Sequence, residues 1–125
     1  DGSAFGTLLD SYCQLGLVDK AMECWARLVE GGLVPDLVMY SNMINACAKA
    51  SRVEQARLWF SRLRESGLQP NVVSYTCVLS AFGRAGRVEE AAEWLEAMED
   101  ESLRPNAISY NSVLNACAKA ERPLE

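Results

Sequence analysis

Apolar positions along this chain fall at steps of three and four, the spacing of a helix face, and not at the alternating spacing of a strand. Between Leu37 and Asn71, the residues Tyr40, Met43, Ile44 and Cys47 form one such stripe, which predicts a helix from about Val38 to Ala50. Ser51-Arg52 interrupts it. A second stripe, Val53, Ala56, Phe60 and Leu63, predicts a helix from about Glu54 to Ser66. Gly67 then suits a left-handed C-cap, and Pro70 forbids continuation.

The same pattern recurs every 35 residues. Pro35, Pro70 and Pro105 keep that interval, as do Phe5, Tyr40, Tyr75 and Tyr110. So do Val18, Val53 and Val88, and Ala21, Ala56 and Ala91, while the string NACAKA occurs at Asn45–Ala50 and again two intervals later at Asn115–Ala120. The units are residues 2–36, 37–71, 72–106 and a partial fourth over 107–125 that contains a first helix only. Each unit is a helix, a tight turn and an antiparallel helix, and neither helix buries its stripe alone. Stacking the units buries both, so the expected fold is all-α, a right-handed solenoid of helix pairs held by nearest-neighbour interfaces.

The unit resembles the pentatricopeptide repeat. It has an aromatic followed by a small polar residue near the start (YS, YT, YN), a Lys or Arg late in the first helix, V-x-x-A in the second, and a closing L-x-P-[ND]. The tetratricopeptide repeat, a protein-binding relative, has a period of about 34 and a W-x-x-L-G pattern that is absent here. The resemblance implies a module that binds single-stranded RNA, one base per unit, on the face formed by the first helices. It also implies an organellar setting, mitochondrial or chloroplast, with roles in transcript processing, stabilisation or translation. The chain itself shows no targeting segment and no apolar run suited to membrane insertion.

Carried onto this chain, the base-reading pairs are the fifth and last residues of each unit: Gly6 with Asp36, Ser41 with Asn71, Thr76 with Asn106, and Asn111 with a partner beyond the end. A hydroxyl with Asn is similar to the family's adenine-reading pair, and Asn111 leans toward a pyrimidine, so the segment read is roughly 5'-N-A-A-Y-3'. Gly6 has no side chain to read with, which marks the first unit as divergent. Val38, Val73 and Ile108 stand where the family stacks on bases, and Ser3 in the first unit does not fit. Lys49, Arg84 and Lys119 stand at its phosphate-facing position, where the first unit has Gln14.

From the residues alone other readings stay open. Ser41, Thr76 and Asn111 also serve as small polar fillers, and Pro-Asn and Pro-Asp make good turns and helix caps. Trp25, Trp59 and Trp94 lie in second helices, where packing is the expected role. The five cysteines, with no C-x-x-C pair and no histidine, do not read as a disulfide framework or metal site, and Cys47, Cys77 and Cys117 read as small hydrophobes at helix interfaces.

The net charge of -5 argues on its face against a polyanion partner. Its distribution changes that picture. Leu37–Val53, Val72–Val88 and Ala107–Ala120 hold no Asp or Glu, only Lys49, Arg52, Arg84, Arg87 and Lys119, so the expected inner surface is positive and the acids face outward. No nucleophile motif, phosphate loop or acid–base pair appears, and a binding protein without a cofactor is expected. The alternative is a protein-binding scaffold in a larger ribonucleoprotein or other complex. The unpaired first helix of the fourth unit predicts further repeats or another chain covering that end.

Overall fold

The order of caps and turns explains the order of helices. The structure, a computed structural model, describes residues 2–121, with side chains from 6 to 120; the side chains of Ser3 and Phe5 and the stretch 122–125 lie outside the described residues. Among those residues are α1 (Gly2–Gln14), α2 (Val18–Glu30), α3 (Leu37–Lys49), α4 (Val53–Glu65), α5 (Val72–Ala85), α6 (Val88–Asp100) and α7 (Ala107–Glu121), and no strand. The chain is an all-α helical repeat solenoid.

Three of the first helices begin on the residue that closes the preceding unit. Asp36 accepts the Met39 N–H at 2.9 Å, Asn71 the Ser74 N–H at 3.0 Å and Asn106 the Ser109 N–H at 3.0 Å. Each satisfies a donor that the first turn would leave open. The Asp36 cap sets α3 one residue earlier than the apolar stripe alone suggests; α4 also begins one residue early, at Val53, without a side-chain cap.

Each hairpin turns through a left-handed residue with paired backbone bonds at the end of the first helix. Leu17, Arg52 and Arg87 donate N–H to the carbonyls of Tyr12, Cys47 and Phe82 at 2.9, 2.9 and 3.1 Å, as a Schellman turn requires. Gly16 and Gly86 take the positive φ there, 72° and 71°, and Ser51 is forced to 61°. At the end of the second helices Gly32 and Gly67 do the same, and Ser102 is held at 65°.

First helices stack in a row, α1 on α3 on α5 on α7, so that α3 and α5 are covered from both sides. Small residues let them approach: Ala46, Ala48, Ala81, Gly83 and Ala116 are buried at these contacts. Second helices stand further apart and meet through large rings. Trp25 and Trp59 pack edge-on at 4.7 Å, and Phe60 and Trp94 at 4.6 Å. Close packing of one layer and wide packing of the other curves the stack, placing first helices on the inner face. The tryptophans are thus packing residues, two buried and Trp94 half-buried.

Candidate RNA-binding groove

The site is built from the first turns of successive first helices. A groove of about 350 Å³ opens between α3, α5 and the start of α7, lined by Ser41, Val73, Thr76, Asn106 and Ile108 together with Asn42, Asn45, Cys77 and Ser80. Five of the residues named from the sequence therefore converge. Val38, Val73 and Ile108 are 65%, 56% and 60% exposed, three aliphatic side chains presented to solvent at 35-residue steps. Such exposure contributes nothing to folding.

Asp36, Asn71, Asn111 and Val38 lie outside the walls of this groove. Asp36 and Asn111 are exposed, and Asn71 is half-buried at the head of α5. Gly6 offers no side chain, and a Cβ built there would meet nothing within 4 Å. The terminal residues act as helix caps, the alternative left open by the sequence. Capping uses one atom of each, the oxygen, and leaves the amide nitrogen of Asn71 and Asn106 free to donate.

The hydroxyls of the two complete pairs differ in their partners. Ser41 Oγ is buried and has no hydrogen-bond partner among the described residues. Thr76 Oγ1 lies 3.3 Å from Ser109 Oγ, which in turn bonds Asn106. Sequence reasoning missed Ser74 and Ser109. The signal was available, because both stand three residues after a capping Asn in the N-x-x-S spacing of a capping box.

The cations also distribute differently from expectation. Lys49 Nζ donates to the Gln14 carbonyl at 3.0 Å and Lys119 Nζ to the Arg84 carbonyl at 2.8 Å. Each ammonium thereby caps the carbonyl end of the neighbouring first helix, where the helix dipole favours positive charge. Arg84 is exposed, and its guanidinium has no partner among the described residues. Arg52 and Arg87 do not contribute free positive charge to the inner surface. Arg52 pairs with Asp19 at 3.1 Å, and Arg87 with Glu54 at 3.0 Å and Glu90 at 2.9 Å. The reason is their place at the head of the second helices, within reach of the acids there. The Arg87 bond holds the Glu90 carboxyl below its ordinary range, and the Arg52 bond does the same for Asp19.

A further clasp lies on the outer side. Tyr75 Oη donates to Glu101 at 2.6 Å, and Arg64 bonds both. Burial alone pushes the Glu101 carboxyl up, but the Tyr75 and Arg64 bonds outweigh it and leave it lowered. Burial raises the thiols of Cys13 to about 12 and of Cys47 and Cys77 to about 11, which keeps them protonated. They fill space between helices, and no cluster suited to a metal ion occurs among the described residues. No described helix is long and apolar enough to cross a membrane.

The profile of the PPR repeat family matches residues 1–49, 35–84 and 70–119. A mitochondrial pentatricopeptide repeat-containing protein of Arabidopsis thaliana is 35% identical over 52 residues, covering 42% of this chain and 13% of that protein. A second from the same plant is 29% identical over 49 residues, 39% of this chain and 7% of its own length. Among solved structures, the pentatricopeptide repeat protein PPR10 in complex with an 18-nt psaJ RNA element matches with a TM-score of 0.82 and 26% identity, over 96% of this chain and 18% of that one. PPR10 from maize matches with a TM-score of 0.78 over 91% of this chain and 16% of that one, again at 26% identity. The chain thus spans less than a fifth of these proteins.

Proposed function

The chain belongs to the PPR repeat family, and from that premise we propose that it binds single-stranded RNA along the inner face of its first helices, without catalysis. The observation that carries this reading is the groove itself, where Val73 and Ile108 stand exposed beside Thr76, Asn106 and Ser41. Bases stack on the aliphatic side chains and their edges meet the polar ones. Aromatic stacking platforms contribute about 1–3 kcal/mol per base, and aliphatic ones less. The neighbour PPR10, solved with RNA, supports the partner class.

In this reading one unit takes one base. Ser41 with Asn71 and Thr76 with Asn106 each take adenine, Asn111 takes a pyrimidine, and the first unit, with Gly6 and Asp36, discriminates least. Val38, Val73 and Ile108 stack. Arg84 meets phosphate, while Lys49 and Lys119 each retain two ammonium hydrogens beyond their carbonyl bonds for the same purpose. The mitochondrial relative supports an organellar setting, with action on transcripts by occupancy. Binding is tested with labelled RNA at low salt. An A-containing oligonucleotide binds more tightly than poly(C), and equal binding of both, or of neither, refutes the reading.

A second reading concerns one end of the stack. Tyr110 and Leu114 are 48% and 63% exposed, while their counterparts Tyr75 and Leu79 are 1% and 0% exposed. This face of α7 takes a further helix pair or another protein chain. Appending one more repeat raises the melting temperature if so, and leaves it unchanged if the face is self-sufficient.

A further inference from the structure

Ser74 and Ser109 are fully buried at the heads of α5 and α7, just beneath the residues assigned to base reading. Only an oxygen accepts a hydrogen bond from a backbone N–H, so the Ser109 N–H at 3.0 Å identifies the capping atom of Asn106 as Oδ1 and turns its Nδ2 outward. Ser109 Oγ touches three groups: the Asn106 N–H at 3.2 Å, Asn106 Oδ1 at 3.0 Å and Thr76 Oγ1 at 3.3 Å. A hydroxyl has one hydrogen to give and two lone pairs to offer. The Asn106 N–H takes one lone pair. Oδ1 can only accept, so it takes the hydrogen. The remaining lone pair faces Thr76, whose hydroxyl must then be the donor.

We propose that Ser109 is a positioning residue that sets the hydrogen-bond polarity of the third unit. With its hydrogen committed to Ser109, Thr76 Oγ1 faces the groove as an acceptor, and Asn106, with its oxygen committed, faces it as a donor. That pattern matches the edge of an amino base, an exocyclic amine beside a bare ring nitrogen, and opposes a keto base, in which the two are reversed. The second unit lacks this lock. Ser74 Oγ accepts the Asn71 N–H at 2.9 Å, as Ser109 does at Asn106, and lies 2.9 Å from the Asn71 carbonyl and 3.2 Å from its Oδ1, but Ser41 Oγ has no partner among the described residues, so its hydrogen is free to turn either way. At the head of α3, Met39 occupies the corresponding place and Asp36 keeps only the backbone bond. The third unit therefore discriminates amino from keto bases more strictly than the second.

This inference rests on the RNA reading above, and the test separates the two. Short RNAs carrying either adenosine or inosine at one position present purines of the same size with reversed edges. The 125-residue chain is titrated with both forms, at the positions read by the second and third units. We expect roughly a ten-fold preference for adenosine at the third-unit position, as one well-made pair of contacts provides, and a smaller one at the second. Ser109→Ala keeps the backbone cap yet brings the third-unit preference close to unity; Ser109→Thr retains it, and the second-unit ratio does not change. A serine that only stabilised the helix would weaken both RNAs equally in Ser109→Ala and leave their ratio intact, which overturns the proposal while the RNA reading stands. If the unmodified chain binds neither RNA, or both alike at every position, both fail together.

Discussion

Gly83 lies where α5 packs directly against the backbone of α7, and replacing it with alanine tests whether that approach is a structural requirement. A Cβ there would sit 2.6 Å from the Ser112 carbonyl oxygen and 3.3 Å from its carbon. Both are backbone atoms with no rotamer to retreat into. Ordinary contact demands that the helices part by roughly 0.8 Å. Overpacking of this kind costs about 1–3 kcal/mol, and alanine returns about 1 kcal/mol of helix propensity over glycine. The net is a loss of about 1 kcal/mol, a fall in melting temperature of roughly 4 °C for a chain of this length. Val73 and Thr76 lie on α5 and Ile108 on α7, so the same displacement widens the groove and weakens RNA binding. The equivalent position in α3 is Ala48, buried and accommodated, which shows that the restriction is local to this pair of helices. Thermal unfolding followed by circular dichroism decides the matter. A rise in melting temperature, the result of propensity alone, would refute the reasoning.

Ser51 and Ser102 occupy left-handed positions that glycine fills in the other turns, so Ser51→Gly stabilises by about 0.5 kcal/mol or more, read as an increased denaturant midpoint with unchanged slope. In acid, Glu90, Glu101 and Asp19 have folded-state pKa values below their ordinary ones, so the unfolded chain takes up protons first. Their contribution is complete above about pH 4.5 and is lost as pH falls through the lowered values. Melting temperatures should be flat from about pH 7 to 5 and drop below about pH 4, with a smaller drop in Glu101→Gln. Arg84→Gln should reduce the slope of log affinity against log salt by about 0.7, one phosphate contact on single-stranded RNA. Lys49→Met should also lower stability, because it removes the cap on the α1 carbonyl.

The hairpins were legible because proline, tyrosine and valine columns recur at one interval, and every described helix starts within a residue or two of where that interval puts it. The walls of the groove were legible through the family pattern at Ser41, Val73, Thr76, Asn106 and Ile108. Long side chains escaped the reading. Lys49 and Lys119 reach back to a neighbouring helix end, and Arg52 and Arg87 reach the acids of the second helices, contacts that depend on how units pack and not on what each contains. Ser74 and Ser109 escaped for a different reason. Their spacing was visible, but a capping box reads as local structure until Thr76 of the adjacent helix is seen to join it.

The central claim is that RNA lies on the inner face against Val73 and Ile108. Methyl NMR during titration with an A-containing oligonucleotide tests it directly. RNA bound there shifts the Val38, Val73 and Ile108 methyls in step with the Asn106 side-chain amide, while Leu63 in the core and the Trp94 indole on the outer side stay in place. Shifts confined to the outer helices, or to Leu114 at the end of the stack, would contradict it.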